Sequence, residues 1–313
     1  MDMPDISVII VNYNTRSITC KCVDSIFSQT RGVTFEVIVV DNDSQKDDSK
    51  QILCQYPGIH YLQAACNLGF GKANNLGYSH STGRYVLFLN SDTYLINDAL
   101  TAFVQEFDKL PAEVGCVGAP LLSARGELNN SYSQLPSLSW YAKAIGGLYI
   151  RPFVKKRREP ECNLKSASKP FEVSYVIGAD LCVRREVIER CGLFDPDFFM
   201  YYEDSELQHR YHSHGYKSYI VPSPKIVHLE CASLPTDTPK RYTALSRKWN
   251  LQSQALYFKK TLPRYKYVLY RIISLFSAPL YLRRYYTAVE KQMLMHTLLF
   301  PMIDRKLNKG IDK

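Results

Sequence analysis

The sequence predicts an α/β fold built on a mostly parallel sheet with flanking helices, followed by a helical, basic C-terminal tail. Three observations predict it. Over residues 6–120, short apolar runs alternate with amphipathic stretches in a βαβαβαβ order. The apolar runs lack polar alternation, as expected for strands covered on both faces. Beyond Lys240 strand signals stop, and Tyr, Leu, Lys and Arg dominate.

Ile6–Val11 (ISVIIV) reads as a buried strand, with Asn12-Tyr13-Asn14-Thr15 as the turn that follows. Ser17–Ser28 then reads as a helix, its apolar face formed by Ile18, Cys22, Ile26 and Phe27. Phe35–Val40 is a second strand, Asp47–Tyr56 a second helix, Ile59–Leu62 a third strand and Lys72–His80 a third helix. Tyr85–Leu89 is a fourth strand and Asp98–Leu110 a further helix. Residues 121–172 are broken by Pro136, Gly146, Gly147, Pro152, Pro160 and Pro170, and the basic run Lys155–Arg158 reads as a loop. Order resumes with a strand over Phe171–Ile177, helices over Arg185–Cys191 and Glu203–His214, and short strands at Tyr219–Val221 and Ile226–Val227. Gly192 and Gly215 stand where helix-ending glycines belong.

Composition narrows the function. A hydrophobic fraction of 46% with 22% charged residues excludes wholesale disorder. The nine cysteines are scattered, without CxxC or zinc spacing, and read as free thiols of a reducing compartment. The run Ile6–Val11 is too short for a signal-peptide core, so a cytoplasmic protein is expected. The net charge of +9 is unevenly placed: residues 240–313 carry 16 Lys/Arg against Glu290, Asp304 and Asp312, giving +13, and the remainder holds −4. A basic tail on a slightly acidic body points to an anionic surface rather than to nucleic acid.

Ligands of open parallel sheets bind beyond the carboxyl ends of the strands. The four N-terminal strands end in Asn12-Tyr13-Asn14, Asp41-Asn42-Asp43, Cys66-Asn67-Leu68-Gly69 and Asn90-Ser91-Asp92. Any one could be turn chemistry; four converging on one edge indicate a site. Asp92, after a wholly apolar strand, suits Mg²⁺ or Mn²⁺ held largely through substrate phosphates. Asn67 to Gly77 (NLGFGKANNLG) resembles a phosphate loop before a helix, with Lys72 either reaching a diphosphate or simply solvated. A second cluster, Phe194–Glu206 (FDPDFFMYYEDSE), delivers Glu203, Asp204 and Glu206 into a first helical turn, as a charged N-terminus or a general base. Its aromatics read as core or as a sugar platform. His209, His212 and His214 read as an exposed helix end, whereas His228 follows a strand and is the better ligand candidate.

These segments, in this order, resemble glycosyltransferase family 2, in its bacterial rhamnosyltransferase-like branch. The matching pieces are SVIIVNYN (7–14), VIVVDNDS (37–44), NLGFGKANNLG (67–77), YVLFLNSDT (85–93), GADLCVRREV (178–187), GLFDPDFFMYYEDSELQHR (192–210) and IVHLECAS (226–233). The resemblance implies the GT-A fold over residues 1–239, with a nucleotide-binding part to about residue 120 and an acceptor part after it, and residues 240–313 as an added tail. It implies that Asp41 meets the donor base, with Asn12 and Asn14 beside it; from the loop itself, Asn67, Gly69 and Lys72 are expected on the donor side. Asn90 and Asp92 stand at the family's DXD motif, Asn90 facing ribose and Asp92 binding the metal. The first Asp of that motif is Asn here. Asp204 matches the catalytic base, Glu203 and Glu206 accompany it, and His228 matches a further metal ligand.

The expected activity is inverting, metal-assisted transfer of L-rhamnose from dTDP-L-rhamnose, or of galactose, galactofuranose or GlcNAc from a UDP-sugar. The expected acceptor is a lipid-linked saccharide of surface-polysaccharide (O-antigen) synthesis. A nucleic-acid-binding protein is disfavoured by the sheet-end acids. A dehydrogenase is disfavoured by the lack of GxGxxG after the first strand. A non-catalytic binder is disfavoured by the presence of both Asp92 and Asp204. In the tail, Val268, Leu269, Ile272, Ile273, Leu275, Phe276 and Leu280 recur at near-helical spacing among Lys259, Lys260, Arg264, Lys266, Arg271, Arg283 and Arg284. The stretch is too short to span a bilayer, and peripheral binding to an anionic inner membrane face is expected.

Overall fold

A buried strand needs every backbone group paired and both faces covered, and β1 (Ile6–Asn12) meets both demands. It pairs in parallel with β2 (Phe35–Asp41) on one side and, five elements along the chain, with β4 on the other. The computed structural model describes residues 3–46, 50, 56, 58–150, 168–229, 243–282 and 286–301. The helix expected over Asp47–Tyr56 (Lys50 and Tyr56 apart), the run Lys155–Arg158 and the cations Arg283 and Arg284 lie outside these residues.

Helix α1 (Arg16–Gln29) buries Thr19, Cys22, Val23 and Ile26, the spacing of one helical face. Phe27 leaves that face, 37% exposed, and stacks on Tyr56 at 5.6 Å. After β2 come β3 (His60–Gln63), α2 (Phe70–Tyr78) and β4 (Tyr85–Asn90). The short β5 (Thr93–Leu95) precedes α3 (Ala99–Lys109), whose first turn is capped by Asp98 accepting the Thr101 N–H. Strands β6 (Val114–Gly118), β7 (Leu121–Leu122) and β8 (Tyr132–Ser133) lead to α4 (Leu138–Ile150). The chain then forms β9 (Phe171–Val173), β10 (Tyr175–Val176), β11 (Asp180–Arg184), α5 (Arg185–Cys191) and α6 (Glu203–Ser213). Strands β12 (Lys217–Ile220) and β13 (Ile226–His228) complete the β elements described. Helices α7 (Ala244–Thr261), α8 (Arg264–Phe276), α9 (Ala278–Leu282) and α10 (Ala288–Leu299) follow.

The main sheet has eight strands in the order β3-β2-β1-β4-β11-β6-β12-β9. Its first four strands are parallel; β11 runs antiparallel between β4 and β6, with Asp180 opposite Leu89. A three-stranded sheet, β5-β13-β7, places His228 opposite Thr93. The segment Phe171–Ile177, expected as one strand, is two: β9 joins the main sheet and β10 pairs with β8. Apolar clusters fill both faces, one around Ile10, Leu87 and Phe103, the other around Ile9, Phe88 and Leu181. Removing a ring such as Phe103, fully buried, would cost about 3–5 kcal/mol.

Two compact units result. The first comprises residues 1–135, 160–195 and 204–239 and holds the three sheets found among the described residues; the second comprises 136–159, 196–203 and 240–313. Within the second unit, Tyr141, Phe198, Tyr257, Phe258 and Tyr270 form an aromatic core, with Phe258 and Tyr270 4.5 Å apart. Phe198 is therefore core, and Phe199 packs at 5.0 Å against Trp249. Gln254 donates to the Tyr202 hydroxyl at 2.6 Å and Ser253 to the Met200 carbonyl at 2.8 Å. Helix α10 opens with a reciprocal cap between Thr287 and Glu290.

Candidate functional site

The parallel strands end together because β1, β2 and β4 pair in register, so Asn12 lies opposite Asp41 and Val11 opposite Asn90. Asn12 is fully buried and its amide is saturated. Its Nδ2 donates to Asp41 Oδ2 at 2.9 Å and to Ser44 Oγ at 3.2 Å; its Oδ1 accepts from Thr15 and Thr19 at 3.0 and 2.7 Å. Asp41 Oδ1 accepts the Ser44 N–H at 2.8 Å and Gln63 Nε2 at 3.0 Å. Asn14, at φ 57°, folds the β1 turn back, and its side-chain oxygen takes the N–H groups of Gln45 and Lys46. Left-handed backbone is tolerated by Asn better than by most residues.

Asn42, which sequence reasoning left unassigned, organises the next loop. Its Oδ1 accepts the Leu68 N–H at 2.8 Å while its Nδ2 donates to Asn67 Oδ1 at 3.0 Å. Asn67 Oδ1 also takes the Gly69 N–H at 3.0 Å. Gly69 sits at φ 78° immediately before α2, a conformation that favours glycine. Lys72 follows in the first turn of α2, half-buried.

At the end of β4, the Asn90 N–H donates to the Ala179 carbonyl at 2.9 Å and Ser91 Oγ lies 3.3 Å from Thr15 Oγ1. Asp92 Oδ1 lies 3.3 Å from His228 Nε2, and its carbonyl accepts the Leu229 N–H. The pairing of β5 with β13 creates this juxtaposition across 136 residues of sequence. Beneath it, Asp180 is fully buried, and its Oδ2 accepts the Ala119 N–H at 2.6 Å. Burial pushes the Asp180 carboxyl up to about 7, against the opposing pull of the Ala119 amide and His228.

The three acids at the start of α6 separate along it. Glu203 is its first residue, buried, and is grouped with the second unit. Asp204 Oδ2 accepts the Gly178 N–H at 3.0 Å and its Oδ1 the Ser205 N–H at 2.7 Å. Burial raises the Asp204 carboxyl above its ordinary range, and the amides of Gly178 and Ser205 pull it back. Glu206 is instead gripped by Arg210 through Nε at 3.1 Å and Nη2 at 3.0 Å. Residues 204 and 206 lie about 200° apart around the helix, so the two carboxylates face different ways. Gln208, also unassigned by sequence, is fully buried and clamps β10. It accepts the Val176 N–H and donates to the Val176 carbonyl, both at 2.8 Å. An amide pair of this kind carries no charge signal in a sequence.

His214 is exposed as expected, but His209 and His212 are half-buried, which lowers both pKa values, and His212 Nε2 reaches Ser218 Oγ at 3.2 Å. Among the described residues no three or more His, Cys, Asp or Glu side chains converge as a metal cage. The pair Asp92–His228 nevertheless fits a divalent cation. Two ligands at about 2.1 Å from one ion and at right angles stand about 3 Å apart, close to the observed 3.3 Å. The remaining positions would be open to phosphate oxygens.

Comparison with known proteins bears on this arrangement. The family model described as "Glycosyl transferase family 2" matches residues 7–191. The N-acetylglucosaminyl-diphospho-decaprenol L-rhamnosyltransferase of Mycobacterium tuberculosis is 27% identical over 223 residues, 66% of this chain and 71% of that protein. The dTDP-rhamnosyl transferase RfbF of Shigella flexneri is 24% identical over 238 residues, 72% of this chain and 69% of that protein. Among solved structures, the mannosyltransferase PcManGT of Pyrobaculum calidifontis, in complex with GDP-Man and Mn²⁺, has a similar fold. The TM-score is 0.53 at 17% identity, over 98% of this chain and 72% of that one. With the matched segment carrying Asp41, the Asn67–Gly69 loop, Asn90 and Asp92, the chain belongs to glycosyltransferase family 2, in its rhamnosyltransferase-like branch, and is a glycosyltransferase of GT-A fold.

Proposed function

We propose that the chain transfers L-rhamnose from dTDP-L-rhamnose to a lipid-linked saccharide, with inversion at the anomeric carbon. The observation that carries this reading is the shared backbone of Gly178 and Ala179. Residue 178 donates to the Asp204 carboxylate and residue 179 accepts from Asn90, so adjacent residues of one turn bond both the acid read as the base and the strand end that leads to Asp92. The relatives that carry rhamnosyltransferase names favour the donor and the lipid-linked acceptor.

In this reading Asp41 meets the donor base, oriented from behind by the buried Asn12, with Asn14 shaping the turn beside them and Asn90 facing the ribose. The Asn67–Gly69 loop and Lys72 serve the diphosphate. Asp204 takes the proton of an acceptor hydroxyl as that oxygen bonds to the anomeric carbon, and the bond to the diphosphate oxygen breaks with its electron pair. A single carboxylate cluster on the reacting side favours direct displacement without a glycosyl-enzyme. Glu206, held by Arg210, positions α6, and Glu203 begins it. Asp92 and His228 would hold a divalent cation, Mn²⁺ being favoured over Mg²⁺ by the nitrogen ligand. Such an ion supplies Lewis-acid neutralisation of diphosphate charge when bound. Residues 1–239 would carry the transfer chemistry, and residues 240–313 would serve peripheral attachment at the inner membrane face, where a lipid-linked acceptor resides.

A thermal-shift screen of nucleotide sugars with Mn²⁺, followed by NMR of the product anomer, tests the proposal. Stabilisation by dTDP-L-rhamnose and an inverted product are expected. Stabilisation by a UDP-sugar alone would reassign the donor, and a product of retained configuration would overturn the displacement mechanism.

A further inference from the structure

A globular helix ordinarily buries its apolar stripe and shows water a polar one. Helix α8 departs from this, for it has two apolar faces. The inner face, with Tyr270 and Ser274 buried and Tyr267 and Ile273 packed beside them, joins the aromatic core of its own unit. The outer face consists of Tyr265, Val268, Leu269, Ile272, Leu275 and Phe276, each between 40% and 72% exposed. At about 100° per residue these six fall within an arc of about 120°. Arg264 and Arg271 border one edge of that arc and Lys266 the other. Arg271 Nη2 also donates to the Leu299 carbonyl at 3.0 Å, beside the exposed Leu299 and Phe300 at the end of α10.

We infer that this outer face of α8 is a docking surface for an anionic lipid bilayer, the helix lying in the plane of the headgroups with its six apolar side chains among the acyl chains. The argument is one of charge and shape together. From Ala244 to Phe276 the sequence has seven cations, Arg247, Lys248, Lys259, Lys260, Arg264, Lys266 and Arg271, and no acid. Lysine and arginine at the margins of an apolar arc can extend to phosphate headgroups while their stems stay on the lipid side. A second copy of the chain would bring like-charged rims together, which disfavours self-association through this face. Among the described residues no helix is long and apolar enough to cross a membrane, which leaves an in-plane orientation for α8.

The inference deepens the proposed function by naming the surface that meets the lipid phase. It fails separately from that reading, because the test uses neither donor nor acceptor. The full chain is sedimented with vesicles of phosphatidylglycerol and phosphatidylcholine, and with phosphatidylcholine alone. Binding to the anionic vesicles is expected, weakened about tenfold or more between roughly 50 and 500 mM NaCl. The double variant Leu269→Glu/Ile272→Glu should lose at least about tenfold in binding, since charge is poorly tolerated among acyl chains. Ile96→Glu, an exposed apolar site in the other unit, should bind as wild type. A second variant guards against misfolding: Ile272→Trp keeps the face apolar, and its added fluorescence should be quenched by brominated phosphatidylglycerol. Unchanged binding of a folded double variant, or absence of quenching, would overturn the inference. So would light scattering that shows a wild-type dimer converted to monomer by the double variant without vesicles.

Discussion

Gly178 donates its backbone N–H to Asp204 Oδ2 at 3.0 Å, and a Cβ added at position 178 would stand 3.2 Å from the Asp204 Cβ. The strand-to-strand turn and the first turn of α6 are therefore fitted closely to one another, and a methyl group at 178 would crowd Asp204. Gly178→Ala should displace the Asp204 carboxylate by a few tenths of an ångström, enough to misalign a proton acceptor. A fall in kcat of about tenfold to a hundredfold is expected with donor affinity nearly unchanged. Steady-state kinetics beside calorimetric titration of the nucleotide sugar would measure the split. A loss of donor affinity equal to the loss in kcat would mean that the glycine serves the fold and not the base.

Asp204, read as the base, should set the acid limb of the reaction. Its carboxyl is raised above the usual carboxylate range by burial. A base works only when ionised, so kcat/KM should fall as pH drops through that raised value, at a higher pH than an ordinary aspartate would give. Asp204→Asn should lower kcat by about a hundredfold or more and remove this limb from the residual rate. A variant that retained the wild-type pH profile would transfer the role of base to another group.

The metal reading rests on Asp92 and His228. EDTA should abolish transfer, and Mn²⁺ should restore it. Asp92→Asn should weaken Mn²⁺ binding in the presence of nucleoside diphosphate about tenfold or more, read by electron paramagnetic resonance, while the melting temperature stays close to wild type. Full activity of the EDTA-treated enzyme would exclude metal assistance.

How much of this was legible depends on what each residue does to its own neighbourhood. The strands β1, β2 and β4 announced themselves because burial on both faces leaves an unbroken apolar run. Strand β11 did not, since it starts at Asp180 and ends at Arg184, and β6 (VGCVG) was hidden by its glycines. Helix α4 lies after Pro136 and contains Gly146 and Gly147, so breaker residues masked a helix that its aromatic packing sustains. The strand-end polar residues were readable as a group because parallel topology must bring such ends to one edge. What was not readable was the scaffolding. Asn42 and Gln208 act through amide hydrogen bonds to distant backbone, whereas the Glu206–Arg210 pair follows from i,i+4 spacing on one helix. The aromatic run was ambiguous between core and platform, and Phe198 is settled as core by its partners in α7 and α8.

Asp180 offers the last test, one of stability. It is an acid buried in the main sheet, where the Ala119 N–H is given to one oxygen, and burial raises its pKa from 3.8 to about 7. In the unfolded chain the same group ionises near its ordinary value. Between about pH 4 and about pH 7 the folded state therefore holds a proton that the unfolded state has released. Its contribution to stability is complete below the unfolded pKa and is lost as pH rises through the folded value, at no more than about 1.4 kcal/mol per pH unit. Asp180→Asn keeps the shape and the acceptor for Ala119 but cannot ionise. Denaturant melts of the metal-free protein in EDTA should show wild type losing stability relative to the variant across that window, with the difference levelling off above about pH 7. Parallel pH curves for the two proteins would mean that Asp180 is already ionised in the fold across that window.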